Sequence, residues 1–155
     1  MPCVSGRFGP AGLILQVAIF ADEGALQALN QPATEGSEPT ALRLYDALID
    51  TGATATCLKP NVISDANLFP VGKCQMISAS HVVEVNQYRF VVGLPMGMQQ
   101  QPNGLMAGNF SLFGGITGLE FSGSAGTGYD ILVGMDILGR GSLKMDFDGH
   151  FSFCF

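Results

Sequence analysis

Residues 142–155 (SLKMDFDGHFSFCF) constrain the fold more than any other stretch of this 155-residue chain. Apolar residues occupy every second position on both sides of Asp148-Gly149: Leu143, Met145 and Phe147 before it, and Phe151, Phe153 and Phe155 after it. A period of two is typical of a strand with one covered face, and Asp-Gly favours a two-residue hairpin turn. We therefore predict a terminal β-hairpin whose phenylalanines cover either the chain's own core or a partner chain.

Composition extends the β prediction to the rest of the chain. There are 21 glycines and few helix-forming runs, which favours strands joined by tight turns. We expect further strands at 12–20, 42–49, 73–77, 82–94, 109–121 and 129–133, short helical turns near 25–29, after Pro60 and at 136–140, and an irregular connection at 95–108. With 47% hydrophobic residues, the chain is predicted to form one all-β domain, 1–155, closed or sandwiched rather than open.

Charge and hydropathy exclude several classes of partner. A net charge of −6 does not suit nucleic acid or an anionic membrane. The apolar run AGLILQVAIF (11–20) is too short to span a bilayer, and no small-x-small cleavage site follows it, so a strand is favoured over a secretion signal. We expect a cytoplasmic protein with no nucleic acid and no membrane as partner.

The cysteines and histidines do not form a metal-binding pattern. Cys3, Cys57, Cys74 and Cys154 are far apart in the sequence, as are the two histidines. Zinc sites usually need ligands a few residues apart, so none is expected. Two disulfides are possible in principle, but buried or idle thiols are the expectation for a cytoplasmic chain.

The stretch ALIDTGATATCL (47–58) places Asp50 at the end of an apolar strand. A carboxylate at the rim of a core is costly unless it is paired or hydrated. An ordinary turn after a strand would explain Asp-Thr-Gly by itself. The flanks favour a functional role, because Ala53 follows the tripeptide and the chain returns to an apolar position at Leu58.

Together with ILVGMDIL (131–138), this motif resembles the retropepsin-like aspartic proteases, the single-domain family that includes the retroviral proteases. The family pattern is two apolar residues, Asp-[Ser/Thr]-Gly-Ala, and an apolar position eight residues after the aspartate, as at Leu58. Leu132-Val133-Gly134 and the turn of helix after it look like the second signature. The segment QMISASHVVEVNQY (75–88) resembles the flap hairpin. The GMDIL form is similar to the cellular and bacterial branch.

The resemblance implies a fold and a set of site residues. The fold is a closed acid-protease β-barrel with a flap hairpin and one short helix near the C-terminus. The implied site consists of the catalytic Asp50, the supporting loop residues Thr51, Gly52 and Ala53, and a substrate-binding flap of Ile77, Ser78, Ala79, Ser80 and His81. No cofactor or metal is implied.

One Asp-Thr-Gly supplies one carboxylate, whereas aspartic-protease chemistry uses two. The second must come from an identical chain across a twofold axis, so a homodimer is expected. Two adjacent carboxylates share a proton, and together they activate a water that attacks a peptide carbonyl. The polypeptide substrate would lie as an added strand between the Asp50 loop and the flaps.

The sequence departs from the viral pattern in two places. Viral members pair an Arg after the second-signature glycine with an Asp after the first signature, and here Met135 and Thr54 stand there. Extra residues also lie between the signatures, mostly within 95–128. How that region lines a substrate cleft is open.

Two other functions are compatible with the sequence. The same fold could serve as a dimerisation or peptide-binding module without turnover. An unrelated small β-barrel could bind an apolar ligand, with Asp-Thr-Gly as a plain turn. Cleavage of peptides by the wild type but not by Asp50→Asn separates the first from an aspartic endopeptidase, and a monomer with an enclosed cavity would indicate the second.

Overall fold

The computed structural model describes residues 1–29, 42–77, 81–100, 106–122 and 126–155. Within them the chain forms ten strands and three short helices: β1 (Cys3–Gly9), β2 (Gly12–Phe20), α1 (Glu23–Leu29), β3 (Tyr45–Ile49), β4 (Cys57–Leu58), α2 (Pro60–Asp65), β5 (Pro70–Ile77), β6 (Val82–Gln100), β7 (Met106–Glu120), β8 (Ile131–Val133), α3 (Met135–Leu138), β9 (Ser142–Met145) and β10 (His150–Cys154). None of the described helices has the length and apolarity needed to cross a membrane.

Six strands close into a barrel. Their order is β6-β7-β4-β8-β3-β2, and β2 returns to β6 through the antiparallel pairs from Ala18↔Gly93 to Phe20↔Val91. Two extensions leave this barrel: β5 pairs with β6, and β1, β10 and β9 continue from β2. The predicted all-β class, the closed barrel and the short helix near the C-terminus are confirmed.

The barrel strands enclose one main core. Their inward side chains are aliphatic and aromatic, because strand residues at every second position share a face. The largest fully buried side chains of the described residues come from these strands and also from β10, α2 and α3: Phe90, Phe151, Phe153, Leu58, Leu94, Ile116, Ile131, Ile137, Val17, Val62, Val92 and Val133. Since two of the C-terminal phenylalanines are in this list, the terminal hairpin covers its own chain's core.

The C-terminal hairpin has a different turn from the predicted one. The Asp146 N–H donates to the His150 carbonyl at 2.9 Å, and the Gly149 N–H donates to the Asp146 carbonyl at 3.2 Å. The loop therefore has three residues, 147–149, and ends in Gly149 at φ 83°, a conformation that glycine adopts without strain. This register sets Met145 opposite Phe151, whereas a two-residue loop would set Asp146 there. The three-residue loop is favoured because it sets the apolar Met145 and Leu143 opposite Phe151 and Phe153.

Strand β1, which was not predicted from the sequence, pairs antiparallel with β10. The two strands place Cys3 directly opposite Cys154, and a disulfide joins them. The expectation of idle thiols is therefore wrong for these two cysteines and holds for Cys57 and Cys74, which are free. The cause is tertiary, because only the pairing of the first and last strands brings the two sulfurs together.

The expected irregular connection at 95–108 is also wrong over most of its length. Strand β6 continues to Gln100 and β7 begins at Met106, and the two pair along almost their full length. The register shifts between Pro95 and Gly97. A bulge of this kind accommodates a proline, which cannot donate to the strand ladder. The sequence there lacks alternation, so the pattern of residues gave no signal for a strand.

Candidate active site

The parallel pairing of β3 with β8 brings the two signature segments together. Ile49 lies opposite Val133, so both strands end at the same edge of the sheet. The N–H of Asp50 donates to the Val133 carbonyl at 3.0 Å, which continues the pairing one residue beyond β3. The first residue after β3 and the first residue after β8 are therefore neighbours.

Asp50 begins a tight turn. The Ala53 N–H donates to the Asp50 carbonyl at 3.2 Å, and the Gly52 N–H donates to Asp50 Oδ1 at 2.9 Å. The Asp50 side chain is half-buried, and Oδ2 has no hydrogen-bond partner among the described residues. Thr51, at the outer corner of the turn, is exposed. One carboxylate oxygen is thus fixed by the backbone while the other is available for a reacting group.

Gly134 allows the turn to pack directly against the end of β8. A Cβ atom on this residue would lie 2.6 Å from the Ala55 carbonyl carbon and 2.9 Å from the Ala53 oxygen. Both distances are far below van der Waals contact, so only glycine fits without a backbone shift. Beside it the Met135 N–H donates to the Ala53 carbonyl at 2.8 Å. The turn is therefore held in place by the residues that open α3.

Thr56 and Asp136 form a second connection between the two segments. The Thr56 N–H donates to Asp136 Oδ2 at 2.9 Å, and its hydroxyl donates to Oδ1 at 2.8 Å. The same hydroxyl accepts the Gly134 N–H at 3.2 Å. Thr56 is 0% exposed, and hydrogen bonds to a charged group in such surroundings are the stronger kind. The pair therefore fixes α3 against the strand that follows the Asp50 turn.

Thr56 and Asp136 were not predicted from the sequence as members of the site. Met135 and Thr54, which were compared with the viral Arg and Asp positions respectively, both have exposed side chains. The available signal was a threonine inside the otherwise apolar approach to Leu58, together with an aspartate in the first turn of a short helix. Neither residue identifies the other without the fold.

Cys57 lies next to this network and is buried. Burial, with smaller contributions from the carboxylates of Asp136 and Asp50, raises the pKa of the Cys57 thiol to about 11. The thiol therefore stays protonated at neutral pH, and its Sγ donates to the Ala55 carbonyl at 3.4 Å. A protonated, buried thiol is a packing group rather than a nucleophile.

Of the predicted flap residues, Ile77 and His81 lie in the described part of the chain, where β5 ends and before β6 begins. Ile77 ends β5 and pairs with Val82, the first residue of β6, and Ile77 is 79% exposed. His81 precedes β6 and is exposed. Ser78, Ala79 and Ser80 lie outside the described residues. The described hydrogen bonds of the Asp50 turn join it to β8 and α3, and none joins it to Ile77.

Within the described ranges, no group of three or more His, Cys, Asp or Glu side chains has an arrangement that could hold a metal ion. Asp50 Oδ1 accepts a backbone hydrogen bond, and both carboxylate oxygens of Asp136 accept hydrogen bonds from Thr56. The arrangement offers a positioned carboxylate in a backbone-braced turn.

Comparison with known proteins supports the fold. No protein-family model matches the sequence, and no curated protein does. Among solved structures the chain is similar to a retropepsin-like aspartic protease from Rickettsia conorii, with 11% identity and a TM-score of 0.55. The match covers 97% of this chain and 89% of that one. At this identity the similarity is evidence about the fold alone.

Proposed function

We propose that the protein is an aspartic endopeptidase that acts as a homodimer. The observation that supports this most is the position of Asp50, half-buried and braced by the Gly52 N–H, at the edge where β3 and β8 end together. A turn that only reversed the chain direction would need neither the close packing that Gly134 permits nor the hydrogen bond between Thr56 and Asp136. The similarity to a solved retropepsin-like protease adds the matching fold.

Each chain supplies one Asp50, so the proposed active site needs a second copy. The two carboxylates share one proton: the ionised one takes a proton from the bridging water, and that water attacks the peptide carbonyl. The protonated one donates a hydrogen bond to the developing oxyanion. In this proposal the exposed Thr51 hydroxyl bonds to the partner's turn, and Gly52 and Ala53 leave room for the substrate backbone.

The proposed substrate is a polypeptide in extended conformation. It would pair as a strand between the Asp50 turn and the hairpin end, where Ile77 and residues 78–81 serve as the flap. The exposed Ile77 would cover an apolar substrate side chain when the flap closes. The cytoplasmic location expected from the sequence is kept as part of the proposal, and the state of the Cys3–Cys154 bond in cells tests it.

The test is cleavage of a mixed peptide library by the wild type and by Asp50→Asn. Asparagine keeps the side-chain shape and cannot share the proton, so cleavage should be lost while the thermal transition stays near that of the wild type. Asp46→Asn is the matched control, because Asp46 lies on β3, the strand that leads to Asp50, and is exposed. If the wild type cleaves no peptide, the proposed activity is refuted and a peptide-binding or dimerisation module is the alternative function. If Asp50→Asn cleaves peptides as fast as the wild type, Asp50 is not the catalytic residue.

A further inference from the structure

The short helix α3 ends in a tighter turn than the one with which it begins. The Gly139 N–H donates to the Met135 carbonyl at 2.9 Å, which is the α-helical spacing of four residues. The next N–H, that of Arg140, donates instead to the Ile137 carbonyl at 2.9 Å, three residues back. The Asp136 carbonyl, which an α-helical Arg140 N–H would reach, is therefore left for another donor.

The side chain of Arg140 is that donor. Its Nε donates to the Asp136 carbonyl oxygen at 3.0 Å, so the side chain takes the place of the backbone N–H. Hydrogen bonds from a charged group such as a guanidinium are stronger than those between neutral groups. A basic side chain is also favourable near the carbonyl end of a helix. Arg140 therefore closes α3 at its C-terminal end.

The same guanidinium lies over an aromatic ring of the barrel. Its central carbon is 6.0 Å from the centre of the Phe113 ring, which is the range of a cation–π contact. Phe113, on β7, is buried and packs edge-on against Phe155 and at a tilt against Phe153. A planar guanidinium can lie on a ring and donate a hydrogen bond from a fixed position at the same time. Arg140 thus connects the backbone of α3 to the barrel core.

Asp136 is the residue through which this connection reaches the candidate site. Its carbonyl is held by Arg140, while its carboxylate accepts hydrogen bonds from the N–H and the hydroxyl of Thr56. Met135, directly before it, holds the Asp50 turn through its N–H. A displacement of the Asp136 backbone would therefore move both attachments of this region to α3.

We infer that Arg140 is a positioning residue for the Asp50 carboxylate, acting through its hydrogen bond to the Asp136 carbonyl. This inference rests on the proposed function, in which the Asp50 carboxylate does the chemistry. The side chain of Arg140 is exposed, and its described contacts are with Asp136 and Phe113. Since catalytic groups must be aligned with the reacting atoms, a small shift of α3 should slow the chemical step more than it weakens substrate binding.

Amide hydrogen exchange tests the positioning without relying on activity. In Arg140→Ala the N–H groups of Met135 and Thr56 should exchange about tenfold faster than in the wild type, because α3 has lost a hydrogen bond at its C-terminal end. The amides that join β2 to β6 serve as the reference and should exchange at the wild-type rate. Arg89→Ala, which removes an exposed arginine from β6, is the matched control and should change neither set.

Steady-state kinetics on a peptide that the wild type cleaves gives the second readout. Arg140→Ala should lower kcat about tenfold and leave KM within about twofold of the wild type, as expected when a catalytic group is misplaced but the substrate still binds. Arg140→Lys keeps the charge but not the planar donor, so it should recover only part of the loss. A lysine variant equal to the wild type would show that the charge alone is needed and would overturn the role of the Nε hydrogen bond.

The outcomes separate this inference from the proposed function. Unchanged exchange at Met135, or an equal increase at the reference amides, would overturn the positioning role whether or not peptides are cleaved. If exchange at Met135 rises selectively but the wild type cleaves no peptide, Arg140 still holds the Asp50 turn through α3 and the endopeptidase fails. If the wild type cleaves peptides and Arg140→Ala has the same kcat, the endopeptidase stands and the positioning role fails.

Discussion

Asp136 accepts two hydrogen bonds from Thr56, and this pair connects the two signature segments across a sequence separation of 80 residues. The Asp136 carboxylate satisfies both donors of Thr56 and fixes the start of α3.

Removing the carboxylate should destabilise the fold. Asp136→Ala leaves the buried N–H and hydroxyl of Thr56 without an acceptor, which should lower the free energy of unfolding by at least about 2 kcal/mol. Thr56→Val, which keeps the N–H bond, should cost less, and Thr56→Ser should stay near the wild type. Urea unfolding measures all three. Asp146→Ala removes an exposed carboxylate as the control, and an Asp136→Ala protein as stable as this control would contradict the role of the pair.

The register of the C-terminal hairpin predicts opposite results for two phenylalanines. Phe153 is 0% exposed in the core, so Phe153→Ala should cost about 3–5 kcal/mol. Phe147 lies in the exposed loop, and Phe147→Ala should change the free energy of unfolding by less than about 0.5 kcal/mol. Thermal or urea unfolding compares them, and equal losses would show that the loop has two residues rather than three.

Opening the disulfide should destabilise the chain strongly. The bond joins residues 151 positions apart, and the chain-entropy model assigns such a loop about 4–5 kcal/mol. Urea unfolding with and without reductant should show a loss of this order in the wild type and in Cys57→Ala/Cys74→Ala. Cys3→Ala/Cys154→Ala should not respond to reductant.

The same bond tests the location. Rapid alkylation of thiols in intact cells, followed by mass measurement, counts the chains in which the bond is closed. Since the cytoplasm is reducing, the Cys3–Cys154 bond should be reduced in most chains of a cytoplasmic protein. In a protein matured in an oxidising compartment the bond should be formed. A bond closed in nearly all chains would contradict the cytoplasmic location.

Alkaline pH should reduce stability through Cys57. Its pKa is raised from 9.0 to about 11 in the folded chain, mainly by burial. Below pH 9 the thiol is protonated in both states and its contribution is fully present. Between about pH 9 and pH 11 the unfolded chain loses the proton first, so stability falls as pH rises. In urea unfolding, Cys57→Ala should make the fall of stability with pH shallower. If Cys57 in the folded chain were alkylated at pH 8.5 as fast as the less buried Cys74, the raised pKa of the Cys57 thiol would be contradicted.

Local patterns predicted the parts of the fold whose causes are local. The apolar run before Asp50 and the glycine after Leu132-Val133 impose their conformations within a few residues, so both turns were identified from the sequence. Alternation likewise located the strands of the terminal hairpin, although not their register. That register depends on which residue lies opposite Phe151, and Asp148-Gly149 suits either loop length.

Contacts between distant segments were the part that sequence reasoning did not find. Cys3 meets Cys154 only because an unpredicted first strand lies beside the last one. Thr56 and Asp136 are each unremarkable residues until β3 and β8 run in parallel. In both cases the topology determines the partner, and a single sequence contains no measure of topology.

Mixing wild-type chains with Asp50→Asn chains at constant total concentration tests the central claim most directly. If each active site takes one Asp50 from each of two chains, mixed dimers are inactive, and the peptidase rate follows the square of the wild-type fraction. At equal fractions the account predicts about one quarter of the undiluted rate. A rate of about one half, falling linearly with the wild-type fraction, would mean that each chain acts alone and would contradict a site shared across a twofold axis.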